Sequence, residues 1–199
     1  VKKKSVFNKI GISLLESTNR DFLNEFFINK YGIEPEFIDR KSIKSIKITY
    51  KKGLGNDRIC NAAAAVYLYN KKNILIIDFG TATTYTMVQN KTITGGMISP
   101  GIRTSLRSLL GNTSLPEISL TFPSNLFNDN TIDNIRSGVL YQSLYTVERT
   151  IMEIRKKHKN VFVIATGGNS DFIFKKTKLI DKIDKNLVVE FSKTSGQWQ

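Results

Sequence analysis

Residues 74–88, ILIIDFGTATTYTMV, join a strand of the buried type to side chains that could do chemistry. Four aliphatic residues lead into Asp78, and Gly80 and several threonines follow at once. The carboxyl end of a buried strand lies at the cleft where α/β proteins bind ligands. Asp78 could hold a cation there, Gly80 would let the backbone approach a phosphate, and Thr81 offers donors to its oxygens. A threonine-rich hairpin with a solvated aspartate explains the same residues, because threonine favours strands.

A second chemically suggestive segment is GLGNDR at residues 53–58, which precedes an alanine-rich helix. Asp57 could act as a general base, and the Arg58 guanidinium could grip a carboxylate through two hydrogen bonds. The alternative is an ordinary helix start with Asn56 or Asp57 as its cap. The segment alone leaves both interpretations open.

Two glycine-rich turns complete the set. Residues 95–101, GGMISPG, open a helix whose N-terminus can take an anion. Residues 164–171, IATGGNSD, end a strand at Gly167 and Gly168, which would form a flat surface for a nucleotide base. Each turn could equally be a plain connection between a strand and a helix.

Composition narrows the class of protein. The chain has 199 residues and a formal net charge of +13, and no apolar run is long enough to span a membrane. A lone cysteine, Cys60, excludes an internal disulfide and is typical of a cytoplasmic protein. The positive charge could attract nucleic acid or anionic substrates, but no zinc-finger, RNP or helix-turn-helix signature is present. We therefore expect neither a membrane nor a nucleic-acid partner.

Strand and helix patterns alternate along the chain, which predicts an α/β fold. The predicted strands are at 34–40, 73–79, 160–168 with its final glycine turn, and 186–192, with a hairpin that turns near residues 89–91. The predicted helices are at 18–32, capped by Thr18 or Asn19, and at 56–70, 103–111, 130–158 and from 169.

Taken in order, GNDR with the following NA, DFGTATT, GGMISPG and ATGG resemble the motifs of the type III pantothenate kinase family. The resemblance is continuous from about Gly53 to Ile173. It implies an actin-like ATPase (ribonuclease H-like) fold, with one complete C-terminal half and the later part of the N-terminal half. We accordingly divide the chain into a partial N-terminal domain, 1–70, and a C-terminal domain, 71–199.

The resemblance implies transfer of the γ-phosphate of ATP to the hydroxyl of pantothenate, the first step of coenzyme A synthesis. In that interpretation Asp57 is the proton acceptor. The pantothenate site would be formed by Tyr50, Gly55, Asn56, Asp57, Arg58 and Thr131. The ATP site would be formed by Gly80, Thr81, Gly167 and Gly168.

Cofactors and assembly follow from the same resemblance. ATP would enter with Mg²⁺, and Asp78 would bind a monovalent cation, K⁺ or NH₄⁺. The family is dimeric, and Thr131 resembles a threonine that reaches the substrate of the neighbouring subunit. The long helix that begins there would suit a homodimer interface, although an ordinary core helix would show the same pattern.

The chain departs from the family at both ends. Family members begin with a DxGNT phosphate hairpin, which is not found in this sequence, and the residues after 192 do not match. The chain could be a fragment of a longer kinase or a genuine short form. We expect it to bind ATP weakly and turn over poorly by itself. The competing hypothesis is an inactive family remnant that serves as a nucleic-acid-binding or regulatory accessory protein.

Overall fold

The computed structural model describes residues 10–13, 19–38, 43–111 and 117–187. The helices are α1 Arg20–Tyr31, α2 Asn56–Tyr69, α3 Ile102–Leu110, α4 Thr131–Lys157 and α5 Ser170–Phe174. The strands are β1 Gly11–Ser13, β2 Glu36–Ile38, β3 Lys47–Ile48, β4 Asn73–Phe79, β5 Ala82–Gln89, β6 Thr92–Pro100, β7 Val161–Thr166 and β8 Lys182–Ile183.

The central sheet has six strands in the order β3-β6-β5-β4-β7-β8. Strand β5 runs antiparallel to both β4 and β6, while β4, β7 and β8 run parallel to one another. Five strands in the order β6-β5-β4-β7-β8, with the second reversed, form a ribonuclease H-like half of an actin-like ATPase, so the predicted fold class is confirmed. A separate parallel pair, β1 and β2, is connected through α1.

Strand β4 divides the core into two layers because successive side chains point to opposite faces of a sheet. Ile74 and Ile76 belong to the cluster that includes the alanines of α2. Leu75, Ile77 and Phe79 belong to the cluster formed with α3 and α4. The sheet is therefore covered by α2 on one face and by α3 and α4 on the other.

The local signals for helix ends and turns are largely confirmed. Asn19 caps α1 by accepting a hydrogen bond from Phe22 N at 3.1 Å, and Gly32 ends that helix with a φ of 69°. The β5–β6 hairpin turns at Asn90 and Lys91, whose φ angles are 48° and 60°. Two positive φ angles are the mark of a two-residue type I′ turn, which suits the twist of a hairpin.

One prediction about elements is wrong, three short strands were missed, and one predicted strand lies outside the described structure. Helix α2 is capped by Gly55, with no side-chain cap, so neither Asn56 nor Asp57 has that role. The short strands β1, β3 and β8 were not predicted. The strand predicted at 186–192 falls almost wholly on residues that the structure does not describe.

The predicted division at residue 70 remains a prediction. Both β3 and α2 precede it, yet β3 pairs with β6 and α2 packs on the central sheet. Within the described ranges, no helix is long and apolar enough to cross a membrane.

Candidate active site

Asp78 lies at the end of β4 on the face of the sheet that α2 covers. Its position follows from the alternation along β4, because Asp78 shares the face of Ile74 and Ile76. The sequence therefore places a carboxylate where a third aliphatic side chain would continue the core. The side chain is half-buried at the carboxyl end of the strand.

The carboxamide of Asn61 on α2 binds this carboxylate directly. Asn61 Nδ2 donates to Asp78 Oδ2 at 2.9 Å. Burial raises the pKa of the Asp78 carboxyl, the hydrogen bond from Asn61 lowers it, and the nearby negative charge of Asp57 raises it again. The net shift is upward, so burial outweighs the hydrogen bond and disfavours the ionised form of Asp78.

Asp57 stands in the first turn of α2, four residues before Asn61. Residues at this spacing lie on one side of a helix, which explains why both carry polar groups toward the end of β4. The Asp57 carboxylate lies over Gly55, since a Cβ at Gly55 would collide with Asp57 Oδ1. Asp57 is exposed, and a ligand can reach it.

Arg58 points the other way and is only 3% exposed. Its Nε donates to Thr86 Oγ1 and its Nη2 to the Tyr85 carbonyl, both at 3.0 Å. The guanidinium also lies 5.5 Å from the ring centre of Tyr50. A Cβ at Gly96 would collide with Arg58 Nη2 and with the Tyr85 carbonyl, so this glycine makes room for the arginine. Arg58 thus joins α2 to β5, and its predicted contact with a substrate carboxylate remains a prediction.

The GGMISPG segment holds the Asp78–Thr81 turn from the α3 side. Gly101 N donates to the Thr81 carbonyl at 3.0 Å, and Thr104 Oγ1 donates to the same oxygen at 2.6 Å. A Cβ at Gly101 would collide with the carbonyls of Gly80 and Thr81. The glycine therefore permits direct backbone contact between two of the sequence motifs.

The IATGGNSD segment, residues 164–171, contacts the same turn from the β7 side. Asn169 N donates to the Phe79 carbonyl at 3.1 Å, and Asn169 Nδ2 reaches that oxygen at 3.3 Å. Gly167 has a φ of 85°, and a Cβ there would meet Asp78 Oδ1 and, at 2.8 Å, the Phe79 backbone. Arg103 Nε, at the start of α3, donates to Asn169 Oδ1 at 2.9 Å and links the two supporting segments. Gly168 has no such close neighbour.

The predicted site residue Thr131 lies on a groove rather than on the turn after β4. It begins α4, on the opposite face of the sheet from α2, and lines a groove of about 910 Å³ between α3 and α4. Leu109 and Ile135 contribute apolar surface to this groove. The groove also includes Thr104, whose hydroxyl donates to the Thr81 carbonyl, so it borders the turn after β4.

Sequence reasoning missed three polar side chains of this arrangement: Asn61, Thr104 and Asn169. Asn61 carried a readable signal, because it follows Asp57 by four residues on the same helix. Thr104 and Asn169 carried none, since their hydrogen bonds go to carbonyl groups that are distant in sequence.

Comparisons with known proteins agree with this geometry. A sequence model of the family "type III pantothenate kinase" matches residues 1–153. The type III pantothenate kinase of Petrotoga mobilis is 36% identical over 191 residues, which cover 92% of this chain and 74% of that protein. The enzyme of Finegoldia magna is 37% identical over 172 residues, which cover 82% of this chain and 65% of that protein. The chain belongs to the type III pantothenate kinase family.

The extent of the match is also informative. The chain spans 66% of the Fusobacterium nucleatum relative and 63% of the Bifidobacterium longum relative, so it corresponds to about two thirds of a family member. A solved structure from Campylobacter jejuni, described as a conserved Baf family transcriptional activator, superposes with a TM-score of 0.57 at 21% identity. That superposition covers 93% of this chain and 94% of the other, and it supports the fold alone.

Proposed function

We propose that this chain carries the catalytic site of a pantothenate kinase, which transfers the γ-phosphoryl group of ATP to the hydroxyl of pantothenate. The observation that carries the proposal is the convergence of three motifs on the turn that the fourth motif, DFGTATT, forms. Asn61 of α2 binds Asp78, Gly101 and Thr104 bind the Thr81 carbonyl, and Asn169 binds the Phe79 carbonyl. Phosphoryl transfer depends mainly on positioning and on neutralising charge, which such a preorganised turn can provide.

Asp57 is the proposed general base. It is exposed at the start of α2, beside the polar end of β4, and within electrostatic reach of Asp78. It would take the proton of the pantothenate hydroxyl as that oxygen forms its bond to the γ-phosphorus. The bond between the γ-phosphorus and the β–γ bridging oxygen breaks, and ADP leaves.

The proposed pantothenate site is completed by Tyr50, Gly55, Asn56, Arg58 and Thr131. Supporting contacts are the packing of Tyr50 against the Arg58 guanidinium and the close approach of Gly55 to Asp57. Because Arg58 already donates to two oxygen atoms of β5, its contribution includes holding the loop before α2 in place.

The proposed ATP site consists of Gly80, Thr81, Gly167 and Gly168. The two turns they belong to pack directly on each other, since Gly167 lies against Asp78 and Phe79. Among the described residues no three acidic, histidine or cysteine side chains converge on a metal site. Mg²⁺ would therefore arrive coordinated by the nucleotide phosphates, as is usual for this ion in kinases.

Asp78 is the proposed ligand of a monovalent cation, K⁺ or NH₄⁺. Its environment fits such an ion, because the carboxylate is half-buried and forms no ion pair with the residues that the structure describes. The neighbouring side-chain oxygen of Asn61, Oδ1, is buried and accepts no hydrogen bond from the described residues. When bound, the cation would add positive charge beside the nucleotide phosphates.

A homodimer is the proposed assembly, and the cytoplasm the proposed compartment. The groove between α3 and α4 includes Thr131 and the exposed side chain of Leu109, and a second copy could cover it. The alternative of an inactive, nucleic-acid-binding remnant is the weaker one, because it gives no reason for Asp57, Asn61 and Asp78 to cluster.

The decisive experiment is an ATP-consumption assay with pantothenate, in KCl and in choline chloride, on this chain and on Asp57→Asn. Loss of a general base typically costs about 10²- to 10⁴-fold in rate. We expect the chain by itself to turn over slowly and only with potassium, and this low rate to fall further by that amount in Asp57→Asn without a change in circular dichroism. Equal rates in both proteins would refute the role of Asp57, and absence of turnover in both would refute the proposed activity of this chain.

A further inference from the structure

The side chain of Asn61 has one atom that the fold does not explain. The residue is 3% exposed, and its Nδ2 donates to Asp78 Oδ2. Its Oδ1 is buried and accepts no hydrogen bond from any described residue. A buried acceptor without a partner costs about 1–3 kcal/mol, and native proteins keep few of them.

The orientation of this amide is fixed by its neighbour. If the Asn61 amide were rotated by half a turn, Oδ1 would face Asp78 Oδ2 and the two oxygen atoms would repel each other. The nitrogen would then occupy the position that has no acceptor. The hydrogen bond to Asp78 therefore assigns Oδ1 to the unpartnered position.

Asn61 Oδ1 lies near two carboxylates, and no ion pair of the described residues neutralises the one that Asn61 binds. Asp78 is joined to Asn61 by the hydrogen bond, and the charge of Asp57 acts on Asp78 as well. No lysine or arginine forms an ion pair with Asp78 within the described part of the chain. Gly167 also leaves no side chain beside Asp78 Oδ1. A carboxylate and an amide carbonyl are hard oxygen ligands of the kind that alkali and alkaline-earth cations prefer.

We propose that Asn61 Oδ1 is a second protein ligand of the monovalent cation at Asp78, so that α2 and β4 share the ion. The inference rests on the proposed function only for the presence of that ion. The two proposed ligand atoms, one carboxylate oxygen and one neutral carbonyl oxygen, carry one negative charge between them, which matches a monovalent ion. Mg²⁺ is further disfavoured because it keeps several of its waters in octahedral geometry. Asn61 follows Asp57 by one helical turn, so an ion bound there would add positive charge near the proposed base.

A cation-dependent melting experiment tests the site without any turnover. The full chain is melted in KCl and in choline chloride at equal ionic strength, with and without ADP. Ion at about ten times its dissociation constant should raise the melting temperature by roughly 4 °C in a protein of this size. Asn61→Leu should lose this potassium-specific rise. Thr177→Val, a control that removes a different partly buried hydrogen bond to Leu179 N, should keep it.

Direct ligation is tested on the unaltered protein, which avoids any folding defect of a variant. In crystals soaked with RbCl, the anomalous signal of Rb⁺ should lie in contact with both Asn61 Oδ1 and Asp78. A site that touches Asp78 but not Asn61 would reduce Asn61 to an orienting role and overturn the inference. So would a potassium-specific rise retained in Asn61→Leu, or no potassium-specific rise in the wild type. Cation binding as expected without pantothenate phosphorylation would instead reject the proposed function and leave this site standing.

Discussion

On the α2 face of the sheet, small side chains bring the helix close to the strands, whereas on the α3–α4 face large apolar side chains fill the core. The helix is fully buried at four successive alanines, Ala62, Ala63, Ala64 and Ala65. Their small side chains allow the polar groups of α2 to contact β4 and β5 directly. On the other face the core includes Phe79, Leu140 and Ile151, and a groove remains open between the helices.

The difference assigns a different task to each face. Close packing on the α2 face leaves Arg58 and Asn61 only 3% exposed, so their polar atoms need partners within the sheet or in a ligand. The looser rim on the α3–α4 face suits contact with another protein surface, since exposed apolar side chains such as Leu109 line it. Both faces nevertheless support the same turn after β4.

The largest effect on stability is expected at Gly167, which packs against the turn after β4. Gly167→Ala would place a Cβ against Asp78 Oδ1 and the Phe79 backbone at a φ of 85°. We expect a loss of about 2–4 kcal/mol in the free energy of unfolding, measured by urea titration. Gly168→Ala is the matched control, because its Cβ would meet nothing within 4 Å. Equal losses in the two variants would show that the contact is not tight.

The effect of burial on stability can be compared at two arginines, one buried and one exposed. Arg58→Lys should cost about 2 kcal/mol, because a lysine cannot reproduce the two hydrogen bonds to Tyr85 and Thr86 in a buried position. Arg103→Lys, at an exposed position with one hydrogen bond to Asn169, should cost less than about 1 kcal/mol. Chemical denaturation of both variants measures the difference, and a reversed order would contradict the assignment of Arg58 as a structural link.

The α3–α4 face is tested by charge insertion. Leu109 is 45% exposed, so Leu109→Glu should leave the monomer folded. If a second copy covers the groove, the buried carboxylate should weaken the dimer at least about tenfold, or about 1.4 kcal/mol. Light scattering over a dilution series measures the change. Phe22→Glu on α1, at an exposed position outside the groove, serves as the control, and equal dissociation in both variants would argue against this interface.

The smallest expected effect is on the pH dependence of stability. Burial raises the pKa of Asp78 in the folded protein above its value in the unfolded chain. The folded state therefore holds the proton more tightly, and stability falls as pH rises from the unfolded value of 3.8 through the folded one. Asp78→Asn should remove this fall and gain stability relative to the wild type at neutral pH. Urea midpoints between pH 4 and 7.5, in choline buffer without potassium, measure it, and parallel pH profiles would refute the shift.

The sequence was informative where one residue determines the local geometry. The position of Asp78 on the α2 face follows from the two-residue period of β4, and the β5–β6 turn follows from its short polar connection. Helix ends at Gly32 and Gly111 were likewise predictable from the residue type. The same holds for the convergence of the motifs, which their resemblance to one family implied.

The remaining features depend on how elements pack, which local patterns do not encode. Strands β3 and β8 have two residues each, too few to show a period, and they form only because a neighbouring strand offers hydrogen bonds. The residue type of Arg58 suggested a ligand contact but gave no sign of its hydrogen bonds to Thr86 and Tyr85 in the sheet. The rotation of α2 also decides that Asn61 meets Asp78. The spacing from Asp57 marks Asn61 as a polar residue on the same side of α2, but residue types along a single helix do not identify the partner of either side chain in the sheet.

The turn after β4 has one consequence for motion. Its Phe79 and Thr81 carbonyl groups each accept two hydrogen bonds, from Asn169 and from Gly101 with Thr104. Opening the turn would require both flanking loops to separate at once, so the amide protons of Gly101 and Asn169 should exchange with solvent as slowly as those of the central strands. A nucleotide would then meet a surface already fixed in its bound shape, and little conformational entropy would be lost when it docks.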